Sequence, residues 1–116
     1  MKEIFNDILS INDVNGAFFL DKNSEIKIQA YTVSSAPELK PDDLSAFINS
    51  LGTYMETEIH FDNLRLYIRR IDTGHIILVT GFNAQMAMVR LNCEVLAPLI
   101  KSHFKKTTGL GRFFKK

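Results

Sequence analysis

A chain of 116 residues, 46% apolar and 23% charged, suffices for one packed domain and excludes both global disorder and two domains. The formal charge of +1 hides two unlike parts: residues 1–100 carry 8 Lys/Arg against 13 Asp/Glu, a net of −5, while 101–116 carry six Lys/Arg and no acid. The acidic body argues against nucleic acid as a partner, the lone Cys93 excludes a disulfide framework or thiolate metal cluster, and no apolar run reaches the roughly 18 residues needed to span a bilayer.

The opening Met1-Lys2-Glu3-Ile4-Phe5-Asn6-Asp7 breaks its apolar residues with acids, which predicts no signal peptide and a cytoplasmic location. Met1, Ile4, Phe5, Ile8 and Ile11 recur at helical spacing, so a short amphipathic helix is expected over 1–11. Gly16 to Leu20 is apolar on both faces. After a turn at 22–24, Glu25 to Tyr31 alternates as a half-buried strand does. Pro37 and Pro41 bracket a connection. A helix over 41–56 follows, with Asp42 and Asp43 placed well against its dipole and Leu44, Phe47, Ile48, Leu51 and Met55 as its apolar stripe.

Three strands come next: 58–61, 64–71 and 75–80. A two-residue turn at Asp62-Asn63 opposes Phe61 with Leu64 and Ile59 with Leu66, apolar to apolar. Three-residue turns at 72–74 and 22–24 are expected to oppose Ile68 with Leu78, Phe18 with Ile28 and Leu20 with Ile26. The last helix is expected from an Asn83 N-cap, with Ala84, Ala87, Met88, Leu91, Val95 and Leu99 as its apolar face and a kink or break at Pro98. Beyond residue 104, Thr107 to Lys116 has two glycines and no helical period. Residues 105–116 read as a flexible basic tail, either a solubilising end or a contact with an anionic partner or membrane.

Strands apolar on both faces belong in the middle, which predicts an α+β fold: a five-stranded antiparallel sheet of order 2-1-5-4-3. The first and last helices cover one face and the middle helix the other. Five strands span roughly 24 Å, and a helix is about 10 Å across. The middle helix therefore falls short of its face, and the strand at 58–61 leaves an open edge. A two-fold dimer meets both needs, with Leu44, Phe47, Ile48, Leu51, Met55, Ile59 and Phe61 as its expected contacts. Arg65, Tyr67 and Arg69 share a strand face, expected beneath the middle helix. They read either as a solvated face or as an anchor patch for a partner.

Chemistry is sparse. Asp72-Thr73-Gly74 spells an aspartic-protease triplet, but it sits where strand pairing demands a tight turn. His60, His75 and His103 have no ligand spacing, and Cys93 reads as a small core residue. No catalytic residue, metal site or cofactor is assigned.

The order α-β-β-α-β-β-β-α, the stretch Val14-Asn15-Gly16-Ala17-Phe18-Phe19-Leu20-Asp21-Lys22-Asn23 and the stretch Gly74-His75-Ile76-Ile77-Leu78-Val79-Thr80 before an Ala/Leu-rich helix resemble the Roadblock/LC7 domain over residues 1–104. The glycine usual in the first hairpin turn is Ser24 here, with Asn23 expected in the left-handed conformation. The resemblance, nearest to the stand-alone prokaryotic MglB type, implies a non-enzymatic homodimer with a shared ten-stranded sheet that binds a small Ras-like GTPase as regulator or scaffold. In that type the GTPase surface lies near the paired central helices, where the exposed candidates are Asp42, Asp43, Ser45, Asn49, Ser50 and Thr53. The alternatives are a small-ligand sensor of PAS or profilin-like shape and a general adaptor.

Overall fold

The computed structural model describes residues 2–32 and 41–115, with Lys2, Pro41 and 105–115 as backbone alone. A 3-10 turn over Lys2–Phe5 leads into α1 (Asn6–Leu9). Then come β1 (Val14–Asp21), β2 (Ile26–Tyr31), α2 (Pro41–Leu51), β3 (Glu56–His60), β4 (Arg65–Ile71), β5 (Gly74–Thr80) and α3 (Met86–Lys115). The five strands form one antiparallel sheet of order β2-β1-β5-β4-β3, as their two-faced or one-faced apolarity requires.

Each sheet face carries its own core. Phe5, Ile8, Phe19, Tyr67, Ile76 and Leu78 pack with Val89, Cys93, Leu96 and Ile100 under α1 and α3. Phe18, Leu20, Leu66, Ile68, Ile77 and Val79 pack under Leu44, Ile48 and Leu51 of α2.

Register separates what patterning can fix from what it cannot. The β3–β4 hairpin pairs Ile59 with Leu66 and His60 with Arg65, as expected, because both strands have one polar face. The β4–β5 pairing is one residue away from expectation: Ile68 lies opposite Ile77, and Ile71 opposite Gly74, around a two-residue turn at Asp72-Thr73. With β5 apolar on both faces, a one-residue slip leaves no hydrophobic penalty to read. Gly74 closes this turn because a Cβ there would lie 1.9 Å from the Leu20 carbonyl oxygen. In β1–β2, Leu20 does face Ile26, but an irregularity between Phe19 and Leu20 moves Phe18 from Ile28 to Gln29. Ser24 itself, not Asn23, takes the left-handed conformation, at φ 63°. The Asp21 carboxylate steadies the turn by accepting from the Asn23 and Glu25 amides at 2.9 and 3.1 Å.

The helices bring four corrections. First, α2 ends at Leu51 rather than 56, because Gly52 takes φ 61° and stops it, so Met55 lies outside the helix. Second, Asn83 does not cap α3. Its amide donates to Asp13 Oδ2 at 2.9 Å, and the helix begins at Met86. Third, α3 does not break at Pro98, and its backbone continues as helix to Lys115. Each residue added to an existing helix needs only one more hydrogen bond, so two glycines at about 1 kcal/mol each do not end it.

The fourth correction concerns shielding. On the α2 side, Phe18, Leu20, Leu66, Ile68, Ile77 and Val79 are fully buried in a single copy. A second copy is not required to cover them. Gln29 and Thr57 stand at the two edges of that face. Ile26 and Ile59 also pack, partly buried, against this core from the edge strands, so α2, about 10–12 Å thick, seals the middle of the face and covers its edges less completely.

Candidate protein-interaction surfaces

The sequence-based contacts divide by burial. Leu44, Ile48 and Leu51 point into their own sheet and are spent on the core. Phe47 and Ile59 are half-buried, whereas Phe61 and Met55 are exposed. Phe47 and Phe61 meet edge to face with ring centroids 6.0 Å apart, so α2 and the end of the β3–β4 hairpin share one apolar seam. Beside this seam, β3 ends the sheet with one edge open among the described residues. The Phe61 amide turns inward to the Leu64 carbonyl at 2.8 Å, closing the hairpin.

The outer face of α2 is small and polar. Asp42, Asp43, Asn49 and Ser50 are exposed there and Ser45 is half-buried, while Thr53 is exposed just beyond the helix end. The two acids lie in the first turn, where the helix dipole favours negative charge. Ser50 Oγ donates back to the Phe47 carbonyl at 2.6 Å.

Arg65, Tyr67 and Arg69 lie on the other face, a correction to their expected place beneath α2. They alternate with Leu66 and Ile68, which face α2, so strand parity sends them under α3. They do not form a free anchor patch. Arg65 Nη2 donates to the carbonyls of Gly81 and Ala84 at 3.1 and 2.8 Å, pinning the chain where it enters α3. Tyr67 is fully buried, and its hydroxyl donates to Glu56 Oε2. Arg69 donates to the Tyr67 oxygen at 3.3 Å and lies 3.6 Å from Glu56 and 3.7 Å from Glu94. Arg90 of α3 completes the cluster, 3.5 Å from Glu56 and 3.9 Å from Glu58. Burial first, then the bond to Glu56, holds the Tyr67 phenol well above its ordinary range. The cluster ties β3, β4 and α3 together, and the edge strand is thereby held in place.

The other candidate groups have structural employment. Asp72 sits in the β4–β5 turn and accepts from Lys101 Nζ at 2.7 Å, a bond that lowers its pKa. A surface groove of about 310 Å³ opens beside this turn between Met55, Arg70, Pro98 and Lys101. Cys93 is buried, and desolvation pushes its thiol up to about 12. Among the described residues, no group of three or more His, Cys, Asp or Glu could hold a metal ion.

One surface was missed altogether. Of the residues expected to face the core from the last helix, Ala84 does so just ahead of α3, but Ala87, Met88, Leu91, Val95 and Leu99 are all exposed. The buried stripe is Val89, Cys93, Leu96 and Ile100, with the same helical spacing. Periodicity finds either stripe. Counting both would have shown a helix apolar on two sides.

No protein-family model and no curated protein matches the sequence. Solved structures do match. A Roadblock/LC7 domain from Streptomyces avermitilis aligns over 90% of this chain and 98% of its own, with TM-score 0.68 and 13% identity. Myxococcus xanthus MglB aligns over 90% and 87%, with TM-score 0.72 and 10% identity. This chain has the Roadblock/LC7 fold. A structure of MglB with a tetrameric arrangement shares it over 82% of this chain and 80% of the other, with TM-score 0.61 and 19% identity. In this fold α2 covers one face of the sheet, α1 and α3 cover the other, and β3 forms one edge.

Proposed function

We propose that the chain is a homodimeric, non-catalytic regulator or scaffold that binds a small Ras-like GTPase. The observation that carries the dimer is the β3 edge, unpaired among the described residues, beside the Phe47–Phe61 seam and half-buried Ile59. Edge pairing between two copies would extend the sheet to ten strands and cover that apolar strip. The GTPase reading is supported by the likeness in fold to MglB and by the resemblance of the sequence itself. The docking surface on this reading is the outer face of α2 and the turn that follows it, where Asp42, Asp43, Asn49 and Thr53 form a small acidic platform.

Any stimulation of GTP hydrolysis would come from ordering the GTPase's own residues. Arg65 and Arg69 are bound to carbonyls, Tyr67 and carboxylates, and neither is poised to enter a partner's site. Replacing Arg69 with Ala should therefore leave the stimulated rate within about tenfold. A loss of about 10³-fold with binding retained is the signature of an arginine finger and would contradict this account.

The test is capture of the small GTPases of the source organism, each loaded with GDP or a GTP analogue, by the full chain. Capture that falls when Asp42 and Asp43 become Lys supports the proposal. Failure to capture any of them in either state overturns it. The protein is expected to work in the cytoplasm.

A further inference from the structure

The outer stripe of α3 lies on the opposite face of the sheet from α2, and nothing in the proposed function uses it. Met88, Leu91, Val95 and Leu99 are 46%, 59%, 60% and 53% exposed. At 1.5 Å per residue they run roughly 17 Å along one side of the helix. The same helix continues in backbone to Lys115. From Lys101 to Lys116 the sequence carries Lys101, Lys105, Lys106, Arg112, Lys115 and Lys116 with no acid, together with Leu110, Phe113 and Phe114. One continuous rod thus joins an exposed apolar stripe to a cationic end. The rest of the chain has a net charge of −5.

We propose that the outer face of α3 and its basic extension dock the protein on an anionic lipid surface. Charge complementarity selects this occupant. Lys101 is engaged by Asp72 at 2.7 Å, and the five cations from Lys105 to Lys116 match the cluster size that binds phosphatidylserine-rich surfaces. An apolar stripe on a charged helix is what lies at the headgroup boundary without crossing it. No described helix is long and apolar enough to cross a membrane, so the contact is peripheral. The acids near the stripe are Asp7, which shares a small groove with Val95 and Leu99, and Glu94, which is already within 3.7 Å of Arg69. The negative body is repelled by the same surface, so it is the helix that turns toward the lipid. This proposal is independent of the GTPase reading.

The experiment is flotation of the full chain with phosphatidylserine-rich vesicles and with pure phosphatidylcholine vesicles. Binding to the first and not the second is expected, weakening as salt rises. Leu91→Glu should reduce it by about tenfold or more, and Lys105→Glu with Lys106→Glu by at least about 25-fold, at roughly fivefold per lysine removed. Circular dichroism checks that the variants fold. The chain has no tryptophan, so Val95→Trp gives a second reading: its emission should shift to the blue only on anionic vesicles. No flotation, binding indifferent to lipid charge, or unshifted emission overturns the proposal. So does a Leu91→Glu variant that lowers the mass of the free protein and leaves flotation unchanged, which would assign the stripe to a second copy. Loss of GTPase capture leaves these readouts untouched, and the two proposals fail separately.

Discussion

α2 and α3 cover opposite faces of one sheet, and they solve the problem differently. α2 divides cleanly: Leu44, Ile48 and Leu51 go in, while Asp42, Asp43 and Asn49 stay out. α3 is apolar twice over, with Val89, Cys93, Leu96 and Ile100 inside and Met88, Leu91, Val95 and Leu99 outside. A helix with one apolar stripe needs one partner, and the sheet suffices. A helix with two stripes has a second face for something else.

Paired substitutions break or sharpen this contrast. Leu96→Ala removes a buried side chain and should lower unfolding stability by about 3 kcal/mol in urea titrations. Leu99→Ala, three residues along and half-exposed, should change it by less than about 0.5 kcal/mol. Comparable losses at both positions would mean that the outer stripe is covered within the monomer. Leu51→Ala on α2 should likewise cost about 3 kcal/mol, and Asn49→Ala almost nothing.

Tyr67→Phe comes next. It strips Glu56 of the one buried hydroxyl it accepts from, and should cost about 1–2 kcal/mol. The cost should shrink when Glu56 is also changed to Gln, as a double-mutant cycle would show.

The smallest effects are those of pH. Burial raises the Cys93 thiol to about 12. The folded state thus keeps its proton where the unfolded chain has lost it. Stability from this group is complete below the unfolded value near 8.5 and falls as pH climbs toward 12. Cys93→Ala should flatten that alkaline decline, and the native thiol should resist alkylation at neutral pH. His75 runs the other way. Burial, then the Arg70 charge, lowers its pKa below 6.5. Its contribution is present above that value and is lost as pH falls.

The residues show why the sequence was legible in some places and not in others. Strand order and helix sides followed from which strands were apolar on one face or two. The Ile59–Leu66 register followed from the polar faces of β3 and β4. β5, apolar on both sides, could slip by one residue against β4 without exposing a single hydrophobe. The same ambiguity hid which layer Arg65, Tyr67 and Arg69 would join. On α3, two stripes of equal periodicity competed, and composition alone could not say which would meet the sheet. The α2-side core needs no second copy to shield it, and what remains for a dimer is the β3 edge, open among the described residues, beside the Phe47–Phe61 seam.

That edge yields the decisive measurement, sedimentation equilibrium at micromolar concentration of the wild-type chain and of Phe61→Asp. The account predicts twice 13.2 kDa for the first and 13.2 kDa for the second, with the thermal transition of the variant still cooperative. A wild-type chain that sediments as a single copy, or a Phe61→Asp chain that stays paired, would contradict it.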